Sequence, residues 1–324
     1  MADIDRIVGW LVDRAQRSER SIRDTKLADH VPGRVKRGTA GACYVVEHRS
    51  PVRIDLPDKD RALAAIFSEL RLVFGIGRTN AERLVGEGFD SIRALLSHPR
   101  WSAAARSLLD HWGDPIDPRR VYATMSYWLS ASHPLFLSLP ALASPDKVCF
   151  FDLETLGLFG SPVFLAGIGR PRPEGGVTII QYLARSLDEE IGLLAAVREE
   201  LAGCLFLVTY NGKAFDWTTV NGRLAYYSLP PLPEPLHLDL LHHARRRFGG
   251  DFPDLRLGTV ERELFGMVRE GDLPGEDVPV YYSEYLETGD PRPLIPILNH
   301  NHQDVETLAV LFSHLREDQD ERDN

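Results

Sequence analysis

The chain has 324 residues, 44% of them hydrophobic, which is enough to bury one large core and a second, smaller one, so two domains are expected. No stretch is long and apolar enough to span a bilayer. The opening, Met1 to Asp13, sets Asp3, Asp5 and Asp13 around a short apolar run where a secretory signal would be basic, so a cytoplasmic protein without a membrane partner is expected. The net charge of −10 divides unevenly: residues 1 to 140 hold 21 Lys and Arg against 17 Asp and Glu, and residues 141 to 324 hold 16 against 30. A polyanion would be drawn to the first part and would need metal ions to approach the second, although a solvated acidic surface gives the same count. Cys43, Cys149 and Cys204 show no metal-type pairing and read as free core thiols.

Residues 1 to 60 read as an arm, partly ordered, because positions 14 to 37 carry eight Lys and Arg among few apolar side chains. From 61 to 143 the apolar residues recur at helical spacing, and Gly75-Ile76-Gly77 and Gly86-Glu87-Gly88 interrupt them as turns between short helices. The stretch from Ser132 to Ser144, rich in Pro, Ser and Leu, reads as a linker ending this helical domain. Beyond it, Lys147 to Asp152, Val163 to Gly169 and Val177 to Leu183 predict three antiparallel strands. A helix to about Leu201 follows, then the apolar run Leu205 to Thr209, then helices over Ala214 to Tyr227, Leu238 to Phe248, Leu257 to Val268 and Pro293 to about Leu315. Strands followed by strand-helix alternation predict an α/β domain over 144 to 316 with a mixed sheet flanked by helices, and 317 to 324 form an acidic tail.

Four carboxylates in this second part sit among apolar neighbours. Asp152 and Glu154, two apart at the end of a buried strand, project from one face. Asp216 aligns with Val220, Leu224 and Tyr227, and Asp304 with Leu308, Leu311 and Leu315, so each lies on the apolar side of a helix. Burying unpaired acids costs several kcal/mol. Mg²⁺ or Mn²⁺ would resolve that conflict, and two ions roughly 3.5–4 Å apart would stabilise both oxygens of a phosphodiester displacement. For any single acid, a capping or ion-pairing role explains it as well.

Phe151-Asp152-Leu153-Glu154-Thr155, Asn211-Gly212-x-x-Phe215-Asp216 and His300-Asn301-x-x-Asp304-Val305 resemble the three motifs of the DnaQ-like (DEDD) exonucleases of the ribonuclease-H-like superfamily. Leu240-Leu241-His242-x-Ala244-Arg245, Arg269-x-x-Asp272-Leu273-Pro274-Gly275 and Pro279-x-x-Tyr282-x-x-Tyr285 narrow the resemblance to its YprB-type family over about residues 145 to 315. The resemblance implies a ribonuclease-H-like sheet, two Mg²⁺ or Mn²⁺ ions held by Asp152, Glu154, Asp216 and Asp304, and hydrolysis of DNA or RNA from the 3′ end. Where better-known branches place a Tyr four or a His five residues before the last Asp, this chain has His300 and Asn299. His300 either orients and deprotonates the attacking water or is a core histidine; His302 faces elsewhere and reads as solvated.

Asn211 either contacts substrate or shapes a turn, and Arg245 and Arg269 either meet phosphates or pair with nearby acids. Val73-Phe74-Gly75-Ile76-Gly77-Arg78-Thr79 resembles a helix-hairpin-helix element, in which Gly75 and Gly77 admit a phosphate to backbone N–H groups and Arg78 and Arg83 add charge; a helix pair that only packs is the alternative. An endonuclease on the same fold, or a catalytically silent nucleic-acid-binding protein, would share these features.

Overall fold

The β-branched and aromatic runs pair into one seven-stranded sheet in the computed structural model, which describes residues 26–158, 160–267, 269 and 273–322. Its strands are β1 (Arg34–Gly38), β2 (Gly41–Ser50), β3 (Val148–Thr155), β4 (Val163–Pro171), β5 (Val177–Leu183), β6 (Phe206–Thr209) and β7 (Leu236–Asp239), in the spatial order β1-β2-β5-β4-β3-β6-β7. β3, β4 and β5 are antiparallel, as their short connections require, whereas β6 and β7 run parallel to β3. Pairing therefore changes direction at β3. The carboxyl ends of β3, β6 and β7 open on one side, where open α/β sheets receive ligands.

The described helices are α1 (Lys26–His30), α2 (Lys59–Ser68), α3 (Arg78–Gly86), α4 (Ser102–Trp112), α5 (Pro118–Trp128), α6 (Glu190–Leu201), α7 (Asp216–Tyr226), α8 (Leu240–Phe248), α9 (Leu257–Phe265), α10 (Val278–Thr288) and α11 (Leu294–Arg322). Alternate side chains of β3 enter two cores. Val148 and Phe150 join α11 and the N-terminal helices, while Cys149, Phe151 and Leu153 join α6, α7 and α10. The stripe of α11 that meets the sheet is Asn301, Val305, Leu308 and Phe312, all buried. It lies close because β4 offers bare backbone: a Cβ at Gly167 would stand 2.4 Å from Asn301 Oδ1, and one at Gly169 2.8 Å from Val305 Cγ1.

Part of the expected arm belongs to the sheet. Residues 34–50 form β1 and β2, extending it past β5, and the buried run Cys43–Val46 was obscured in sequence by the charges of β1 around it. The chain beyond β2 is strapped to α11, where Arg316 donates to the carbonyl and the carboxylate of Asp55 at 3.0 and 2.7 Å. Residues 1–25 of the arm lie outside the described residues, as do 323 and 324 of the tail. The preceding part of the tail continues α11 to Arg322.

The expected linker is a 3₁₀ helix, Pro134–Leu142, with Leu135, Phe136, Leu137 and Leu139 buried. These side chains join the N-terminal helices and one face of the sheet in a single core. Tyr122 and Arg119 of α5 reach further, donating to the carbonyls of His237 and Glu234 at 3.0 Å each, which lays the helical part along β7. Residues 238 and 239 belong to β7, so α8 begins two residues later than its periodicity predicts, and α10 had no counterpart among the expected helices. No helix among the described residues is long and apolar enough to cross a membrane.

Truncating Leu139 to Ala is expected to cost about 2–5 kcal/mol. Urea unfolding followed by tryptophan fluorescence and by far-UV circular dichroism should shift together; a change confined to one probe, or none, would mark the segment as a linker.

Candidate active site

The alternation that sends Val148 and Phe150 toward α11 carries Asp152 and Glu154 onto the same face at the carboxyl end of β3. A bulge between Glu154 and Thr155 ends the regular ladder there. Asp216 opens α7 and is buried against β3, where the Leu153 backbone works against the rise in its pKa. Gly212 makes room for that carboxylate, since a Cβ there would lie 2.6 Å from Asp216 Oδ2. Farther along α7, Arg223 is clamped on buried Glu190 of α6 at 2.7 and 2.5 Å, and Glu190 also accepts Val163 N–H of β4 at 2.8 Å. That buried ion pair fixes α7 against the sheet.

From the other side, α11 delivers His300, Asn301 and Asp304. Asn301 is fully buried, donates Nδ2 to Asp152 Oδ2 at 2.8 Å, and accepts at Oδ1 from Gln181 Nε2 at 3.0 Å. Gln181, on β5, also donates to the Leu298 carbonyl at 2.8 Å, which sets the amide of Asn301 with its donor toward the acid. His300 Nε2 stands 3.5 Å from Asp304 Oδ2 and 4.0 Å from Glu154 Oε1. Asp304 Oδ1 accepts from Arg269 Nη2 at 2.6 Å, and Arg269 also gives Nε and Nη2 to buried Glu261 of α9 at 2.9 and 2.5 Å.

These acids act on one another. Burial, then repulsion by Asp304, Glu154 and Asp216, pushes the Asp152 carboxyl well above the usual carboxylate range, against the donor of Asn301. Glu154 is raised in the same way, by burial and then by Asp304 and Asp216. Burial chiefly, with Asp239 and Asp304 adding to it, brings Asp216 up to about 7 despite backbone donors. Among the described residues no three His, Cys, Asp or Glu groups are closed up as a metal cage. The donor set nonetheless fits hard divalent cations: buried carboxylate oxygens, raised by mutual repulsion, with a guanidinium supplying positive charge at Asp304.

The other residues singled out in the sequence fall elsewhere. Asn211 takes a left-handed turn at φ 60°, and its N–H donates to Asp239 Oδ1 at 2.8 Å, while Lys213 N–H reaches Oδ2 at 3.2 Å. Asp239, at the end of β7, thus holds the loop that leads into Asp216. Arg245 is exposed on α8, near Tyr210. Gly75 (φ 85°) and Gly77 precede α3, whose entry has no side-chain cap, and Arg78 is exposed and paired with Glu82 at 3.0 Å. Arg83 pairs with Glu87 at 2.6 Å on the same helix. His302 is not solvated: it is half-buried, edge-on to His48, with its ring centroid 5.0 Å away.

Asn301, Gln181, Asp239 and Glu261 were not read from sequence as part of the site. Asn301 had a signal, three residues before Asp304 on the same helix face. Gln181 and Asp239 have meaning only once the strands are paired, and Glu261 only once Arg269 meets it.

The family model described as RNase_H superfamily matches residues 149–316. Over 175 residues the chain is 41% identical to the uncharacterized protein YprB of Bacillus subtilis (strain 168); the match covers 52% of this chain and 42% of that protein, so less than half of YprB is represented. The family B DNA polymerase of the hyperthermophilic archaeon Pyrobaculum calidifontis is similar over 50% of this chain and 24% of its own, with a TM-score of 0.39 and 18% identity.

The raised Asp216 gives a pH dependence. Its folded value of about 7 exceeds its ordinary 3.8, so the folded state keeps a proton that the unfolded state loses. The stability this contributes is present below the ordinary value and is lost as pH rises through about 7. In chelator, the urea midpoint should therefore fall between pH 5 and pH 8, and Asp216→Asn should flatten the fall by on the order of 1–4 kcal/mol. Parallel pH profiles for the two proteins would contradict it.

Proposed function

We propose that this chain, which belongs to the RNase_H superfamily, is a divalent-metal-dependent nuclease that degrades DNA or RNA from the 3′ end. The observation that carries the reading is the set of buried, mutually repelling carboxylates at the end of β3, an arrangement that costs stability unless cations compensate it. Asp152, Glu154, Asp216 and Asp304 would hold two Mg²⁺ or Mn²⁺ ions. When bound, such ions lower the pKa of a water and stabilise the charge developing on the phosphate and leaving oxygen.

The chain's own groups supply the rest. His300, beside both Asp304 and Glu154, would orient the attacking water and take its proton at Nε2. Asn301, backed by Gln181, fixes which way the Asp152 carboxylate points. Asp239 holds the Asn211–Lys213 turn, through which Asn211 would meet the substrate near Asp216. The Gly75–Gly77 turn, with uncapped N–H donors at the start of α3 and Arg78 beside them, would grip a phosphate without reading bases, and exposed Arg245 would add a further contact. The 3′ to 5′ direction, and the choice of exonuclease over endonuclease, follow the order of the three motifs.

End-labelled DNA and RNA, single- and double-stranded, incubated with Mn²⁺ should give ladders of shortened products, and chelator should abolish them. Asp152→Asn should reduce the rate roughly a thousandfold, about 4 kcal/mol of transition-state stabilisation. Undiminished activity in that variant would remove the assignment. A circular single strand should survive; cutting it would make the protein an endonuclease.

A further inference from the structure

Next to the acids lies a cleft of about 580 Å³ that shares His300 and Asp304 with them. Its walls bring Arg256, Arg262 and Arg269 together, with Leu257, Met267 and Pro274 as apolar surface between the charges. Asp304 and Glu276 also line it, so the arginines outnumber the acids. Arg256 and Arg262 are exposed, and the partner of Arg262 is an exposed neighbour, Glu263, at 3.1 Å, an ion pair of the kind that water largely screens. Guanidinium forks with apolar surface between them suit a phosphodiester and its sugar.

Arg269 belongs to both places. Its Nη2 bridges Glu261 and Asp304, at 2.5 and 2.6 Å, and its Nε also donates to Glu261, at 2.9 Å. With Arg269 on Oδ1 and His300 3.5 Å from Oδ2, each oxygen of Asp304 has a nitrogen neighbour. A cation at Oδ1 would stand beside the Nη2 charge, so it binds more tightly once Nη2 leaves. Glu261, only 1% exposed, accepts from both Nε and Nη2, so the planar guanidinium can pivot on Nε, giving up both Nη2 bonds, without leaving the site.

We propose that this cleft is a subsite for a backbone phosphate of the substrate strand, bound by Arg256 and Arg262, and that this phosphate draws Arg269 off Asp304 and so opens that carboxylate to a metal ion. The proposal rests on the nuclease reading above and adds an order to it: the strand loads first, and the metal site becomes complete only then. Between strands, the guanidinium stands in for the cation and quiets the repulsion among the acids.

The test reads binding, without turnover. Mn²⁺ affinity, followed by electron paramagnetic resonance of the free ion, should rise about tenfold when Asp304 is released by Arg269→Gln. The double variant Arg269→Gln with Glu261→Gln, which removes both charges of the buried pair and so guards against misfolding, should show the same rise. A phosphorothioate oligodeoxythymidine, titrated with its own Mn²⁺ binding subtracted, should raise the Mn²⁺ affinity of the wild type and leave Arg269→Gln unchanged. In chelator, Arg256→Ala with Arg262→Ala should weaken binding of the same oligonucleotide about tenfold or more. Unchanged or lower Mn²⁺ affinity in both Arg269 variants, oligonucleotide binding indifferent to Arg256 and Arg262, or no effect of the oligonucleotide on wild-type Mn²⁺ affinity would overturn the proposal. A protein that shows these couplings yet hydrolyses nothing keeps this inference and loses the nuclease reading; one that hydrolyses without them keeps the nuclease reading alone.

Discussion

Like charges buried side by side are the constraint around which this molecule is arranged. β3 is covered on both faces, so acids at its end are poorly hydrated, and two helices from distant parts of the chain add Asp216 and Asp304 to them. In water such a group would spread apart or ionise freely. Here a neutral donor orients one carboxylate without cancelling its charge: Asn301 on Asp152. The charge is left for a cation to balance. Arg269, itself anchored by Glu261, supplies part of that balance at Asp304.

Holding repelling groups together requires a stiff frame, and the frame has named parts. The Glu190–Arg223 pair pins α7 to α6 and β4, with Tyr227 OH donating to the same carboxylate at 2.8 Å. Gly167 and Gly169 let α11 sit directly on β4, so that Asn301 can reach across to β3. Gly167 stands opposite Asp152 in the ladder, and a side chain there would push away the Asn301 amide that orients that acid. The N-terminal helices contribute through the shared core, in which the 3₁₀ segment fills the space between them and the sheet.

Much of the fold was legible in sequence because its signals are local. The three antiparallel strands are short apolar runs cut by Gly and Pro, and their observed bounds differ from the expected ones by only a few residues. The four acids stood out as charges embedded in apolar periodicity, and their motifs carried the family. What escaped the sequence reading depended on partners far along the chain. β1 and β2 look like a basic arm until β5 supplies the pairing, β7 is too short to be separated from the helix it precedes, and Pro134 to Leu142 resembles a linker because nothing local shows that its leucines are buried. Gln181 is a polar residue in an apolar strand, and only its contact with Asn301, 120 positions later, gives it a purpose.

The two borders of the sheet differ, and together they bear on how the protein behaves at high concentration. β1 is five residues long and carries Arg34, Lys36 and Arg37, so two copies approaching border to border would bring like charges together before any ladder could form. β7 is overlaid by α5, whose Tyr122 already occupies the His237 carbonyl. A wide, strongly apolar sheet is thereby kept from recruiting strands of its neighbours, through cationic residues at one margin and a covering helix at the other.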